Sequence, residues 1–198
     1  MEAWLQAKVA DAFARKESTG FVNGNGVSQP RGFLTYANVG TPGAYQRNAI
    51  EQILNGGSSA SVDGLIELQG SLKEAYQPRA TFAMKRNTLT AYMKLKGTEM
   101  YRFLNLQPAM GPQGQVIGAT LTLMEKPVVL MDDMPVVAAN SLAVAYGDFS
   151  RAYTVVNRRG ITVLKDPYTA KGFMRYFTTK RVGGAVTNFE ALKLLKMA

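Results

Sequence analysis

With no histidine and no cysteine among its 198 residues, the chain has only carboxylates, lysines, hydroxyls and tyrosines for any chemistry. That removes thiol nucleophiles, imidazole bases, Cys/His zinc sites and disulfides together. Asp132-Asp133 with Asp148 would offer carboxylates to a hard cation, but such ions want several converging oxygens and no loop here has that spacing. Asp-Asp before Met134-Pro135 is more simply a turn, in which Asp side chains bond nearby backbone. Gly24-Asn25-Gly26 hints at a phosphate loop. It lacks a following Gly-Lys-Ser/Thr or a third glycine, and it follows a helical pattern where a nucleotide motif needs a strand. No catalytic, cofactor-binding or metal-ligating residue is assigned, and no enzyme activity is expected.

The elements that frame these residues are read from periodicity and punctuation. Residues 2–19 form a helix that stops near Gly20, with Leu5, Val9 and Phe13 on one stripe beside Trp4 and Ala12. Its apolar stripe starts at full strength with no capping residue before it, so the helix looks cut from a longer one. Phe21 to Leu34 then packs Gly24, Gly26, Pro30 and Gly32 into nine positions. Glycine tolerates positive φ and proline fixes its own, so this is an ordered, sharply bent connection.

Further on, Gly40-Thr41-Pro42-Gly43 is a turn and Gln46 to Leu54 a short helix ending at Gly56-Gly57. Ser61 or Asp63 caps a helix through Tyr76, closed by Pro78. Ala80 to Met84 is a short buried strand, and Asn87 or Thr88 caps a helix through about Lys96, ended by Gly97. Gly111-Pro112-Gln113-Gly114 is a loop. Strands follow at Val128–Met131 and Leu142–Tyr146. Tyr153–Asn157 and Ile161–Lys165 flank Arg158-Arg159-Gly160 as a compact hairpin. Phe173 to Thr179 alternates as a half-buried strand, and Gly183-Gly184 bends the chain before a last apolar segment at Leu192 to Leu195. Helices come first and strands later with no βαβ rhythm, so the class is α+β.

The chain's +9 is unevenly placed. Residues 151–198 carry Arg151, Arg158, Arg159, Lys165, Lys171, Arg175, Lys180, Arg181, Lys193 and Lys196 against only Asp166 and Glu190, a balance of +8. Such a field attracts polyanions or acidic neighbouring subunits. A solvated strand face with lysines guarding sheet edges explains single residues equally well. Tyr153, Phe173, Tyr176 and Phe177 lie among these charges, as in a stacking platform for single strands, although strand aromatics are more often core. A hydrophobic content of 46% with 19% charged residues is ordinary globular composition. No apolar run has membrane-span length and no signal-peptide pattern opens the chain, so it is expected to be soluble and intracellular.

Four blocks, in order, resemble the major capsid proteins of tailed phages, the Hong Kong 97-type fold. The first is the turn Asn23-Gly24-Asn25-Gly26 through Pro30-Arg31-Gly32; the second runs from Ala80-Thr81-Phe82-Ala83-Met84-Lys85-Arg86-Asn87-Thr88-Leu89 to Leu95-Lys96-Gly97. The third is Lys126-Pro127-Val128-Val129-Leu130-Met131-Asp132-Asp133-Met134-Pro135. The fourth joins Tyr146-Gly147-Asp148-Phe149, Tyr153, Arg159-Gly160-Ile161, Asp166-Pro167, Arg181-Val182-Gly183-Gly184-Ala185-Val186 and Ala191. Glu125 stands where the family usually has glycine.

The resemblance implies an elongated two-lobed subunit. Residues 1–22 and 147–186 would be a peripheral lobe carrying the end of the spine helix, and 23–146 with 187–198 an axial lobe. The family's N-terminal arm and extended loop would be absent, leaving a fragment expected to stay a monomer or small oligomer. The implied function is a structural shell subunit of a tailed bacteriophage or prophage, without cofactor. It would assemble with itself into pentamers and hexamers and contact packaged double-stranded DNA non-specifically, with portal, scaffold and protease proteins as further partners and no membrane. Its place would be the virion capsid, and the host cytoplasm during assembly. Arg151, Arg158, Arg159, Arg175, Lys180 and Arg181 are the candidate DNA-facing or inter-subunit residues, and Gly24, Gly26, Pro30 and Gly32 the structural turn. The isopeptide asparagine of some members falls at Gly172, so self-cross-linking is not supported. The same fold builds encapsulin compartments, the nearest alternative; a basic nucleic-acid-binding protein or an unidentified enzyme lies further off.

Overall fold

The computed structural model describes residues 2–95, 104–110, 116–166, 168–169 and 174–198. Among these, the first elements are α1 (Glu2–Asn23), β1 (Ala37–Asn38), β2 (Ala49–Ile50), β3 (Gln52–Leu54), α2 (Val62–Gly70), β4 (Thr81–Met84) and α3 (Arg86–Met93). Then come β5 (Leu104–Met110), β6 (Val116–Leu123), β7 (Lys126–Leu130), β8 (Leu142–Gly147), β9 (Tyr153–Asp166), β10 (Arg175–Val186) and β11 (Leu192–Lys196). The chain divides into two compact units. One is Met1–Thr35 with Tyr153–Val186; the other is Tyr36–Ala152 with Thr187–Ala198. The glycine-rich turn therefore belongs with α1, whereas the sequence reading drew the line at residue 22.

In the first unit α1 runs past Gly20 to Asn23, because the Gly24 amide continues the ladder onto the Gly20 carbonyl at 3.0 Å. The chain then reverses. The Gly32 amide donates to Gly24 O at 2.8 Å, Asn25 and Arg31 form a bridge, and Asn25 Oδ1 accepts the Val27 amide at 2.9 Å.

β9 and β10 make a two-stranded antiparallel ribbon. The hairpin expected at Arg158-Arg159-Gly160 does not exist. Those residues lie inside one continuous strand, because the partner of β9 is the later β10 rather than its own second half. Gly183-Gly184 is likewise strand and not bend, paired with Val156 and Val155. Gly184 is glycine for contact: a Cβ there would meet the Tyr153 hydroxyl at 2.7 Å. The freed space lets Tyr153 donate to Arg31 O at 3.0 Å while the Arg31 amide donates to Gly184 O at 2.8 Å.

The second unit is built on a mixed seven-stranded sheet in the order β3-β11-β8-β4-β7-β6-β5, beside the short parallel pair β1-β2. Its core gathers Leu65, Leu68 and Leu72, Phe82 and Met84, Leu89 and Tyr92, Val144 and Tyr146, and Leu195 and Met197. Phe82 and Tyr146, cross-strand partners, bring their rings to 4.4 Å. The helix expected over Gln46–Leu54 is instead β2 and β3, since β3 finds a parallel partner in β11. α2 stops at Gly70, not Tyr76; Ser61 sits at its N-cap in extended backbone without a side-chain bond. α3 starts after Lys85, with Thr88 buried and its hydroxyl directed at Pro135 O, 3.4 Å away, instead of capping. Lys96, Gly97, the Gly111–Gly114 loop, Pro167, Lys171, Gly172 and Phe173 lie outside the described residues.

Between β6 and β7, Met124 and Glu125 adopt φ of 51° and 64°. Two successive left-handed residues are the geometry of a two-residue hairpin turn of the type that prefers Asn-Gly.

Candidate interaction surface

Asp148 is buried and holds its own helical turn, Phe149–Ala152, accepting the Ser150 amide at 3.1 Å and the Ser150 hydroxyl at 2.6 Å. Among the described residues no group of three acidic, His or Cys side chains is placed to hold a metal. No helix among them is long and apolar enough to cross a membrane. The surfaces that ask for a partner are elsewhere, on the α1–ribbon unit.

That unit holds eleven Lys and Arg against four Asp and Glu, a net +7 of the chain's +9. The ribbon segment supplies +6 of this, while the α1 segment, with Lys8, Arg15, Lys16 and Arg31 against Glu2, Asp11 and Glu17, adds +1; Arg151, Lys193 and Lys196 belong to the other unit. Arg151 is engaged there: its Nε lies 3.7 Å from Asp148 Oδ2 and its guanidinium 5.9 Å from the Tyr76 ring centre. The other candidates, Arg158, Arg159, Arg175, Lys180 and Arg181, all lie on β9 or β10. Arg175 faces Asp166 across the ribbon, while Arg159 faces Arg181. Lys180 pairs with Glu17 of α1. A cleft of about 780 Å³ between helix and ribbon is lined by Phe13, Lys16, Glu17, Arg158, Lys180 and Arg181, among others.

Nearer the start of α1, a second cleft of about 520 Å³ is apolar, with Leu5 and Val9 facing Ile161, Val163 and Tyr176. The helical stripe legible in sequence therefore points at the ribbon. Leu5, Val9 and Phe13 nevertheless end only half-buried, because the helix stands off the strands. The β9 strand is bare, every residue from 154 to 165 being exposed, with Leu164 at 63% and Val156 at 56%. Sequence reasoning missed this apolar surface, because alternation marks a half-buried strand without saying what buries it. Of the aromatics read as a stacking platform, Tyr176 and Phe177 are exposed on the ribbon, and Tyr153 is committed to Phe21 and Arg31.

The model of the phage capsid family matches residues 1–197. A search of the curated proteins finds no match. Among solved structures, the capsid of the native GTA particle, computed with C5 symmetry, contains a chain 35% identical at TM-score 0.83. The match covers 100% of this chain and 66% of that one. The empty GTA capsid gives the same identity and coverage at TM-score 0.84. The SrpI encapsulin of Synechococcus elongatus PCC 7942 (16% identity, TM-score 0.63, 97% of this chain and 63% of that one) shares the fold. So does Gordonia phage Cozz (16%, TM-score 0.56, 97% and 62%). The α+β fold is thus the Hong Kong 97-type capsid fold, and by the family model and the GTA match along its length the chain belongs to the phage capsid family.

Proposed function

We propose that this chain is the shell-forming part of a major capsid protein, a structural subunit of a tailed phage or prophage-derived particle that encloses double-stranded DNA. The observation that carries the reading is the match to a GTA capsid chain over 100% of this sequence at 35% identity. The exposed apolar ribbon supports it. Large exposed apolar side chains such as Leu164 and Phe177 on a subunit surface mark an interaction site, and a closed shell repeats one interface with slight variation. The α1–ribbon unit would be the peripheral lobe and the sheet unit the axial lobe, which gathers into pentamers and hexamers. Portal, scaffold and protease proteins would act during assembly in the host cytoplasm, and the finished location is the virion. Electron microscopy of the product of the complete reading frame tests this. Closed shells are expected, with nuclease-protected DNA in particles from the native host. A product that stays monomeric at all concentrations and salts, or shells filled with a protein cargo, would overturn it.

A further inference from the structure

We propose that the irregular centre of the β9–β10 ribbon is a phosphate-binding site, which holds the backbone of enclosed nucleic acid without reading its sequence. The proposal rests on the shell-subunit reading and locates the contact on this chain.

The first observation is register. Arg159 and Arg181 are direct cross-strand partners, and the pairing slips on both sides of Arg181, between Thr179 and Arg181 and between Arg181 and Val182. Like charges directly opposite destabilise a ribbon. Bulges are placed features that re-aim side chains. Here the irregularity carries Arg158 and Arg159 on one strand and Lys180 and Arg181 on the other. Among the described residues only Lys180 of these has a carboxylate partner, Glu17. An external anion relieves the repulsion that the fold leaves in place.

The second observation is convergence. Lys16 of α1 reaches the same cleft as Arg158, Lys180 and Arg181, beside Glu17, whose carboxylate Lys180 engages, so three elements deliver cations to one place. Solvated lysines guarding a sheet edge need no such meeting of helix and strands.

The occupant follows from the charge. Guanidinium groups, here of Arg158 and Arg181 at the cleft with Arg159 the register partner of Arg181, suit phosphate oxygens, which they bind in bidentate fashion. Duplex DNA carries a charge for roughly every 1.7 Å of axis, and phosphate contacts carry no base information. An acidic protein segment is the competing occupant, and the polyglutamate competition below decides between the two.

The test is fluorescence anisotropy of the purified protein with two labelled duplexes of unrelated sequence, across a salt series. Equal affinity for both is expected, falling log-linearly with salt. Arg159→Ala/Arg181→Ala should weaken binding about tenfold at moderate salt and lower the salt slope by about 2. Thermal unfolding of the double variant at low salt should occur at an equal or higher midpoint, since the change removes repulsion. Arg47→Ala/Arg86→Ala, exposed cations of the other unit, should change nothing. An unchanged affinity and slope in the Arg159/Arg181 variant overturns the proposal, as does competition by polyglutamate that equals DNA at matched charge. Shells seen by microscopy together with unaffected DNA binding would remove this site and leave the shell reading standing. Absence of shells would remove that reading, with the binding assay still deciding the site.

Discussion

A methyl group on Gly24 would stand 2.0 Å from the Pro30 carbonyl oxygen. The obstacle is backbone on a strand of the turn already fixed by Gly24 O accepting the Gly32 amide, so it has no rotamer by which to yield. Gly24→Ala is expected to destabilise the α1–ribbon unit by about 3 kcal/mol, the upper range for overpacking. Gly40→Ala, with nothing within 4 Å of its Cβ position, should change stability by no more than about 0.5 kcal/mol. Denaturant midpoints of the two variants check the contrast; a mild Gly24→Ala would mean that the turn opens freely.

That same turn shows what could be read in advance. Its glycines and Pro30 announce an ordered reversal, and the α1 stripe announces a face needing a partner, since both signals are local. The physical reason for Gly24 was not legible, because it is a close approach between backbones and not a positive φ. Pairing between distant strands was hardest to see. Arg158-Arg159-Gly160 has local turn chemistry, yet β10 holds it extended. Ala49 to Leu54 has no strand signature until β11, at the far end of the chain, pairs with β3. Among the candidate cations, Arg158, Lys180 and Arg181 were visible as charge, but not as a cleft shared with Lys16 of α1.

Lys193 and Glu51 form a buried ion pair, and the free Glu51 oxygen accepts the Gly43 amide at 2.8 Å. Removing one charge strands the other in low dielectric. Lys193→Met or Glu51→Gln should each cost about 3 kcal/mol. The double change Glu51→Gln/Lys193→Met should cost clearly less than the sum, because neither charge is then left alone. Additive losses in urea titrations would show that the two side chains do not depend on each other.

Burial pushes the Tyr146 phenol up to about 12, and its hydroxyl donates to Gln77 Oε1 at 2.6 Å. The folded chain keeps that proton at pH values where the unfolded chain, titrating near its ordinary 10, releases it. This contribution to stability is therefore complete below about pH 10 and is lost as pH rises toward 12. Burial moves the Tyr92 hydroxyl in the same direction, so stability should fall steeply in alkali. Tyr146→Phe should cost about 1 kcal/mol at neutral pH through the lost hydrogen bond and flatten part of the alkaline fall. Unfolding midpoints at pH 8 and pH 11 measure both effects.

Glu125, with φ of 64° beside Met124 at 51°, holds a left-handed turn position with a side chain attached. A Cβ there costs about 1 kcal/mol relative to glycine. Glu125→Gly should therefore raise stability by about 0.5–1 kcal/mol, the gain from relieving φ being larger than the added freedom of the unfolded chain. A lowered melting temperature in this variant would show that the carboxylate contributes something the turn geometry does not.

Leu164 and Phe177 are cross-strand partners on the ribbon, exposed at 63% and 49%. Their neighbours Val163 and Thr178, and Lys165 and Tyr176, line the apolar cleft toward α1. Side chains alternate across a strand, so Leu164 and Phe177 project from the opposite face. Both side chains stay exposed in the subunit, and Leu164→Asp should alter stability by no more than about 0.5 kcal/mol. In the assembled shell the same face would meet a neighbouring copy, where an unpaired carboxylate in an apolar contact is expensive. Leu164→Asp should therefore leave the melting curve of the subunit unchanged while abolishing closed particles in negative-stain images. Particles in normal number from a stable Leu164→Asp protein would place the subunit interface elsewhere.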